Sequence, residues 1–256
     1  MKDQNVILCV DSAQSAATAL PWARHFAEHL NHKGIIALHV GEPTAPQWLQ
    51  QLEIPYISMH GQWSTAIEGL PTVFNGILAV AACDPEAPRT SIANPHTLLR
   101  AFRNCKIAYL AVNQHSLLTV SQSVLTLTHR REGKEKLVWA SYLARFLNSE
   151  ITIASPDYRD ADLRWRLGNN LIFADKIFNP LNITYNRHTL PSTTHVDRAS
   201  IDDLHPNLLI ARTTDTRDRD FLDWLAPLPE YRLLTHPSHT PLLFLNPRDD
   251  LYILCD

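Results

Sequence analysis

The sequence predicts an α/β protein of two open, five-stranded parallel sheets, each with helices on both faces, a three-layer arrangement repeated in tandem. Three observations lead there. A ten-residue segment, Trp22 to Asn31, returns as Trp139 to Asn148 with five positions identical, in the pattern W-A-x-x-x-A-x-x-L-N. Each copy stands between two apolar runs, so a whole strand, helix and strand recurs. The 256 residues leave room for two cores of ordinary size.

The first half carries five apolar runs: Val6 to Val10, Ile35 to Val40, Pro55 to Met59, Ile77 to Cys83 and Ile107 to Val112. The second half has five more, Val124 to Thr128, Ile151 to Ala154, Ile183 to Asn186, Leu208 to Arg212 and Leu242 to Leu245. Each is short and nearly continuous, as in a parallel strand buried on both faces. The first helix of each half places Leu20, Ala23, Ala27 and Leu30, or Leu137, Ala140, Ala144 and Leu147, on one face. Pro21 predicts a late start or a kink in the first copy. Two strands joined by a crossover helix are parallel and almost always right-handed. Between its second and third strands the first half has only Glu42 to Ile54, with a short helix at Gln47 to Leu52, where the second half has a full helix, Ala161 to Phe178. The linker, Gln114 to Gln122, lacks glycine and proline, which predicts two packed domains, 1–116 and 121–256.

Composition narrows the function. Hydrophobic content of 45% and charged content of 19% fit a soluble globular protein, and no apolar run approaches the roughly 20 residues that span a bilayer. Lys2 is followed by Asp3 and the first apolar run stops at Asp11, unlike a signal peptide, so a cytoplasmic location is expected. A net charge of -3 provides no basic field for nucleic acid and no polybasic patch for a membrane. Arginines crowd the second half among nearly as many aspartates, the pattern of a solvated, salt-bridged surface. Cys9, Cys83, Cys105 and Cys255 form no C-x-x-C pair and read as buried reduced thiols.

The order of strand, acidic loop, helix with W-A-x-x-[FL]-A, strand, long helix and three further strands, present twice, resembles the tandem universal stress proteins. Leu98 to Val112 looks like that family's last helix, turn and fifth strand, with Leu233 to Leu245 as its counterpart. The resemblance implies the adenine nucleotide α-hydrolase-like, flavodoxin-like fold. It also implies an intramolecular pseudo-dimer in which the two fifth strands meet, with self-association into a homodimer left open.

In nucleotide-binding members of that family an aspartate after the first strand faces adenosine, and phosphates lie on a loop G-x-x-G followed about nine residues later by G-[ST]. The glycines let backbone amides approach the phosphate closely at a helix start. Asp11 and Ser12 stand at the first position, but 84–95 (DPEAPRTSIANP) and 213–220 (TTDTRDRD) contain no glycine. Binding of ATP in the usual mode is therefore not expected, and no cofactor is assigned. The alternative is an adenine-nucleotide binder or slow ATP hydrolase, for ATP or AMP, using Asp11, Ser12, the strand end at Val40 and a non-standard loop at Asp84 to Asn94. His129 replaces the aspartate in the second half. Arg130 and Arg131, at a parallel strand's carboxyl end, could hold an anion, with Glu132 and Glu135 close enough to neutralise them.

Catalytic signatures are missing: no G-x-S-x-G elbow, no Rossmann fingerprint and no P-loop. His25, His29 and His32 fall at i, i+4 and i+7, a spacing that could present imidazoles to a metal, but they lie away from the apolar stripe and read as surface residues. His236 and His239 read as a turn, and His60 and His115 as isolated loop residues. The expectation is a non-catalytic stress-response protein that acts by binding, with no metal and an unidentified protein partner.

Overall fold

The computed structural model describes residues 4–42, 44–130, 134–191, 201–213 and 229–246. They form two compact units, one from Met1–Leu118 with Thr213–Asp256, the other from Thr119–Arg212. In the first unit lie β1 (Asn5–Val10), α1 (Ala13–His29), β2 (Gly34–Val40), α2 (Gln47–Gln50), β3 (Tyr56–Met59), α3 (Trp63–Glu68), α4 (Leu70–Val73), β4 (Gly76–Ala82), α5 (Pro95–Phe102) and β5 (Ala108–Val112). The second unit holds β6 (Gln122–Thr126), α6 (Lys134–Leu147), β7 (Glu150–Pro156), α7 (Ala161–Phe178), β8 (Tyr185–Leu190) and β9 (Leu208–Arg212). The chain then returns to the first unit with α8 (Pro229–Thr235) and β10 (Leu242–Leu245).

Each of the ten apolar runs contains or overlaps a strand, and the first unit orders them β3-β2-β1-β4-β5-β10. The first five are parallel, with Leu8 beside both Ala37 and Val80 and Ala79 beside Tyr109. The second unit orders four parallel strands β9-β6-β7-β8. The α/β, mostly parallel architecture is as expected, and only the share of strands in each unit differs from two times five. β10 runs antiparallel against β5, Leu243 opposite Leu110, which makes six strands in one unit and four in the other. All five residues of β5 are buried. Left as an edge, such a strand would expose unpaired N–H and C=O groups, and β10 covers them. The compact units therefore divide the chain differently from 1–116 and 121–256.

Two further expectations change. α1 begins at Ala13, not after Pro21, because Ser12 and Ser15 form a capping box. Pro21 is tolerated inside it: it faces solvent, as does Ala17, whose carbonyl loses its helical donor. β8 begins two residues later than the apolar run at Ile183, after Asn182 turns the chain with a φ of 54°, and its middle residues are exposed, as an edge strand allows. α7 matches the predicted Ala161 to Phe178, and Leu167, Ala174 and Phe178 of its stripe are buried.

The C-terminal segment is fastened to the first unit by stacked rings. Tyr109 lies between Phe102 (4.4 Å, 21°) and Phe244 (5.1 Å, 22°). Buried Asn246 donates to the carbonyls of Phe102 (2.6 Å), the last residue of α5, and Cys105 (2.7 Å), just beyond it. Sequence reasoning did not single out either feature. Cys9, Cys83 and Cys105 are buried free thiols, and burial pushes Cys83 up to about 12 and Cys105 to about 11. No helix among the described residues is long and apolar enough to cross a membrane.

The Tyr109 hydroxyl is fully buried and has no hydrogen-bond partner among the described residues. Burial, then the Glu230 carboxylate, holds its phenol well above the ordinary value. Removing an unpaired buried hydroxyl relieves a desolvation cost, so Tyr109→Phe should raise stability by about 1 kcal/mol in urea denaturation, whereas Phe244→Ala should lower it by about 3–5 kcal/mol. A loss of stability in Tyr109→Phe would contradict this.

Candidate functional site

The sheet of the first unit reverses its strand order between β1 and β4. Open α/β sheets bind ligands at the carboxyl ends of the strands flanking such a switch point. A cleft of about 760 Å³ lies there, lined by Asp11 after β1, Asp84 after β4, Asn113 after β5, and His236, Ser238 and Leu242 of the C-terminal segment. Ser12 also lines it. Val40 does not contribute to its wall but is buried at the end of β2.

What fills the floor decides what the cleft can hold. The Asp11 carboxylate accepts the Ile92 N–H at 2.7 Å through Oδ2 and the Ser15 hydroxyl at 3.2 Å through Oδ1. Ser12 caps α1, accepting the Ser15 N–H at 3.1 Å. Both residues are thus engaged by their own chain. The loop from Asp84 to Asn94 is closed on itself in the same way. Asp84 N–H donates to Ala93 O, Glu86 N–H to Asp84 Oδ1, Ala87 N–H to Asp84 O, Ser91 N–H to Pro88 O and Ala93 N–H to Ser91 Oγ. Asn94 donates its N–H to Ser91 O and its side-chain amide to Ala87 O at 2.7 Å, and its Oδ1 caps α5 by accepting from His96 N–H. Pro85, Pro88 and Pro95 have no N–H to offer. Most N–H groups of this loop are thus bonded within the chain, and two carboxylates, Asp84 and Glu86, line the cleft.

His39, buried in β2 beside the end of β1, has Nδ1 2.9 Å from Ser58 Oγ and its ring edge-on to Trp48. Burial lowers its imidazole below the ordinary value, and the Asp11 carboxylate opposes this only in part.

The second unit uses different residues at the corresponding strand end. His129 Nδ1 lies 3.0 Å from the Tyr158 hydroxyl. Buried Asn170, from the middle of α7, donates to Thr128 O at 2.8 Å and Arg130 O at 2.9 Å. Arg130 is exposed, its N–H directed at Thr128 Oγ1, while Arg131 and Glu132 lie outside the described residues, as does the loop beyond Thr213. Buried Lys136 donates to the Thr126 carbonyl and to Thr126 Oγ1 at 3.2 Å, where β6 ends. Sequence reasoning missed Asn170 and Lys136. The only signal was a polar residue on the buried stripe of a helix.

The histidine row on α1 does not persist. His25 and His29 rings lie 4.4 Å apart, and His29 Nδ1 meets the His25 carbonyl at 2.8 Å. The helix ends at His29, and His32 follows at a φ of 51°, off its surface. Among the described residues no group of three His, Cys, Asp or Glu could hold a metal ion.

No protein-family model and no curated protein sequence matches the chain. Solved structures do. A universal stress protein from Archaeoglobus fulgidus DSM 4304 superposes with a TM-score of 0.67 at 9% identity, over 97% of this chain and 98% of that one. The chain has the universal stress protein fold. A universal stress protein from Pseudomonas aeruginosa UCBPP-PA14 is similar at a TM-score of 0.65 and 12% identity, over 98% of this chain and 96% of that one. A functionally unknown protein from Pseudomonas aeruginosa PAO1 is similar at a TM-score of 0.64 and 11% identity, over 98% and 95%. Within this universal stress protein fold, the cleft occupies the switch point, and its loop is held by side chains.

Two outcomes check the geometry. Asp11→Ala removes acceptors from Ile92 and Ser15 and should cost about 1–2 kcal/mol in chemical denaturation. For His39, the folded imidazole is lowered relative to the unfolded chain, so its contribution is complete above the ordinary value of 6.5 and is lost as pH falls through it. The melting temperature should fall between about pH 7.5 and about pH 5.5, and less steeply in His39→Gln. Equal slopes would contradict the assignment.

Proposed function

We propose that the chain is a universal-stress-protein-like protein of the cytoplasm that acts by binding rather than catalysis and does not hold ATP in the usual mode. Its partner would be a protein, not a nucleic acid or a membrane. The observation that carries this reading is a loop whose N–H groups are mostly bonded within the chain. From Asp84 to His96, eight N–H groups, those of Asp84, Glu86, Ala87, Ser91, Ile92, Ala93, Asn94 and His96, donate within the chain, and Asp11 supplies one of their acceptors. A triphosphate would have to break several of these bonds and approach Asp84 and Glu86 unscreened. Each bond broken without replacement costs about 1–3 kcal/mol, enough to cancel phosphate binding.

A second reading, an adenine-nucleotide binder or slow hydrolase, is favoured by the cleft's position at the switch point. Thermal melting separates the two. With millimolar ATP and magnesium, or AMP, the melting temperature should stay unchanged. A ligand at 100 times its Kd would add about 2.7 kcal/mol and a rise of several degrees. Such a rise would overturn the leading reading in favour of the second.

A further inference from the structure

We propose that the cleft at the switch point of the first unit takes an aliphatic polyamine, a chain of methylenes that carries several ammonium groups. The proposal rests on the reading that this cleft does not hold ATP. Its volume, about 760 Å³, lies within the range of small-molecule sites. Asp11, Asp84 and Glu86 line it, and among the described residues no lysine or arginine does. None of the three carboxylates forms an ion pair among the described residues. The His39 imidazole, which interacts with Asp11, is lowered below its ordinary value by burial and is therefore largely neutral at pH 7. A concave wall carrying charge of one sign focuses its field on whatever enters.

Hydrogen bonding gives the same sign. The N–H groups of the loop after β4 are mostly bonded within the chain, whereas the carboxylates keep sites open. Each carboxylate can accept about four hydrogen bonds. Asp11 accepts from the Ile92 N–H and the Ser15 hydroxyl, Asp84 accepts from the Glu86 N–H, and the Glu86 carboxylate accepts from no described residue. A wall with its donors engaged and its acceptors open matches a ligand rich in donors. An ammonium group offers only donors, and its bonds to carboxylates are of the strong, charge-assisted kind.

The placement of the charges selects a chain over a point charge. Among the described residues no three His, Cys, Asp or Glu groups converge closely enough to hold a metal ion, so the three carboxylates are spread along the cleft and do not meet at one point. Several separated ammonium groups suit that spacing better than a single compact cation does. The methylenes between them also have apolar surface to meet, since Leu234 and Leu242 of the C-terminal segment line the same cleft.

Isothermal titration of the full chain with spermidine, at low salt and at about pH 8, above the ordinary imidazole range, tests the proposal, with melting as a control for folding. Binding should saturate with a dissociation constant below about 1 mM. Asp84→Asn keeps an oxygen for the Glu86 N–H, and combined with Glu86→Gln it should weaken spermidine at least about tenfold. Glu68→Gln, which removes the same charge from exposed α3, should leave binding unchanged. Tetramethylammonium, a cation without N–H groups, should give no saturable binding. Spermidine binding that fails to saturate, that persists in the double variant, that Glu68→Gln weakens equally or that tetramethylammonium reproduces would overturn the proposal. A parallel titration with ATP and magnesium separates it from the reading beneath it. Silence from both ligands overturns the polyamine alone, whereas binding of ATP overturns both.

Discussion

A backbone N–H removed from water must find an acceptor, and the way the first unit meets that requirement shapes everything at its sheet edge. Where a phosphate-binding loop leaves N–H groups free for an anion, this one gives them to Asp11, Asp84, Ser91 and nearby carbonyls. The carboxylate that ends β1 becomes a bracket holding the β4 loop, and Ser12 and Ser15 spend their hydroxyls starting α1. A cleft survives beside this bracket because the switch point separates the loops, and Asp11 on its wall is engaged by Ile92 and Ser15.

The second unit reaches the same end by other residues. Asn170, carried by a helix with no long counterpart in the first unit, takes the carbonyls on either side of His129. In both units a side chain binds the backbone at the carboxyl end of the first strand, Asp11 accepting and Asn170 donating. The same economy holds at the C-terminal segment. There β10 covers the edge of β5, and Asn246 binds two carbonyls at and just beyond the end of α5. Polar side chains, not glycines, therefore organise these loops among the described residues.

Much of this architecture was legible in the sequence because buried parallel strands declare themselves as apolar runs. β8 was the least legible, since an edge strand reading Asn186-Arg187-His188-Thr189 carries little apolar signal. The direction and placement of β10 were hidden for a different reason. Leu242 to Leu245 reads as a strand whatever it pairs with, and pairing across 130 residues leaves no local trace. The absence of glycine after β4 was plain, but the sequence could not say which bonds would hold the loop in its place. Asp11, flagged as a residue facing a ligand, lines the cleft and also accepts the Ile92 N–H, a bond with no trace in the sequence. Asn94, Asn170 and Asn246 went unnoticed because an asparagine that caps or clamps backbone looks like any surface asparagine until its partners are known.

The central claim is that eight N–H groups between Asp84 and His96 are bonded within the chain. Amide hydrogen exchange across this loop, with and without ATP and magnesium, tests it most directly. The account predicts that Ile92, Ala93 and Asn94 exchange slowly in the protein alone and at the same rate with nucleotide present. Fast exchange in the protein alone that slows when ATP is added would contradict it.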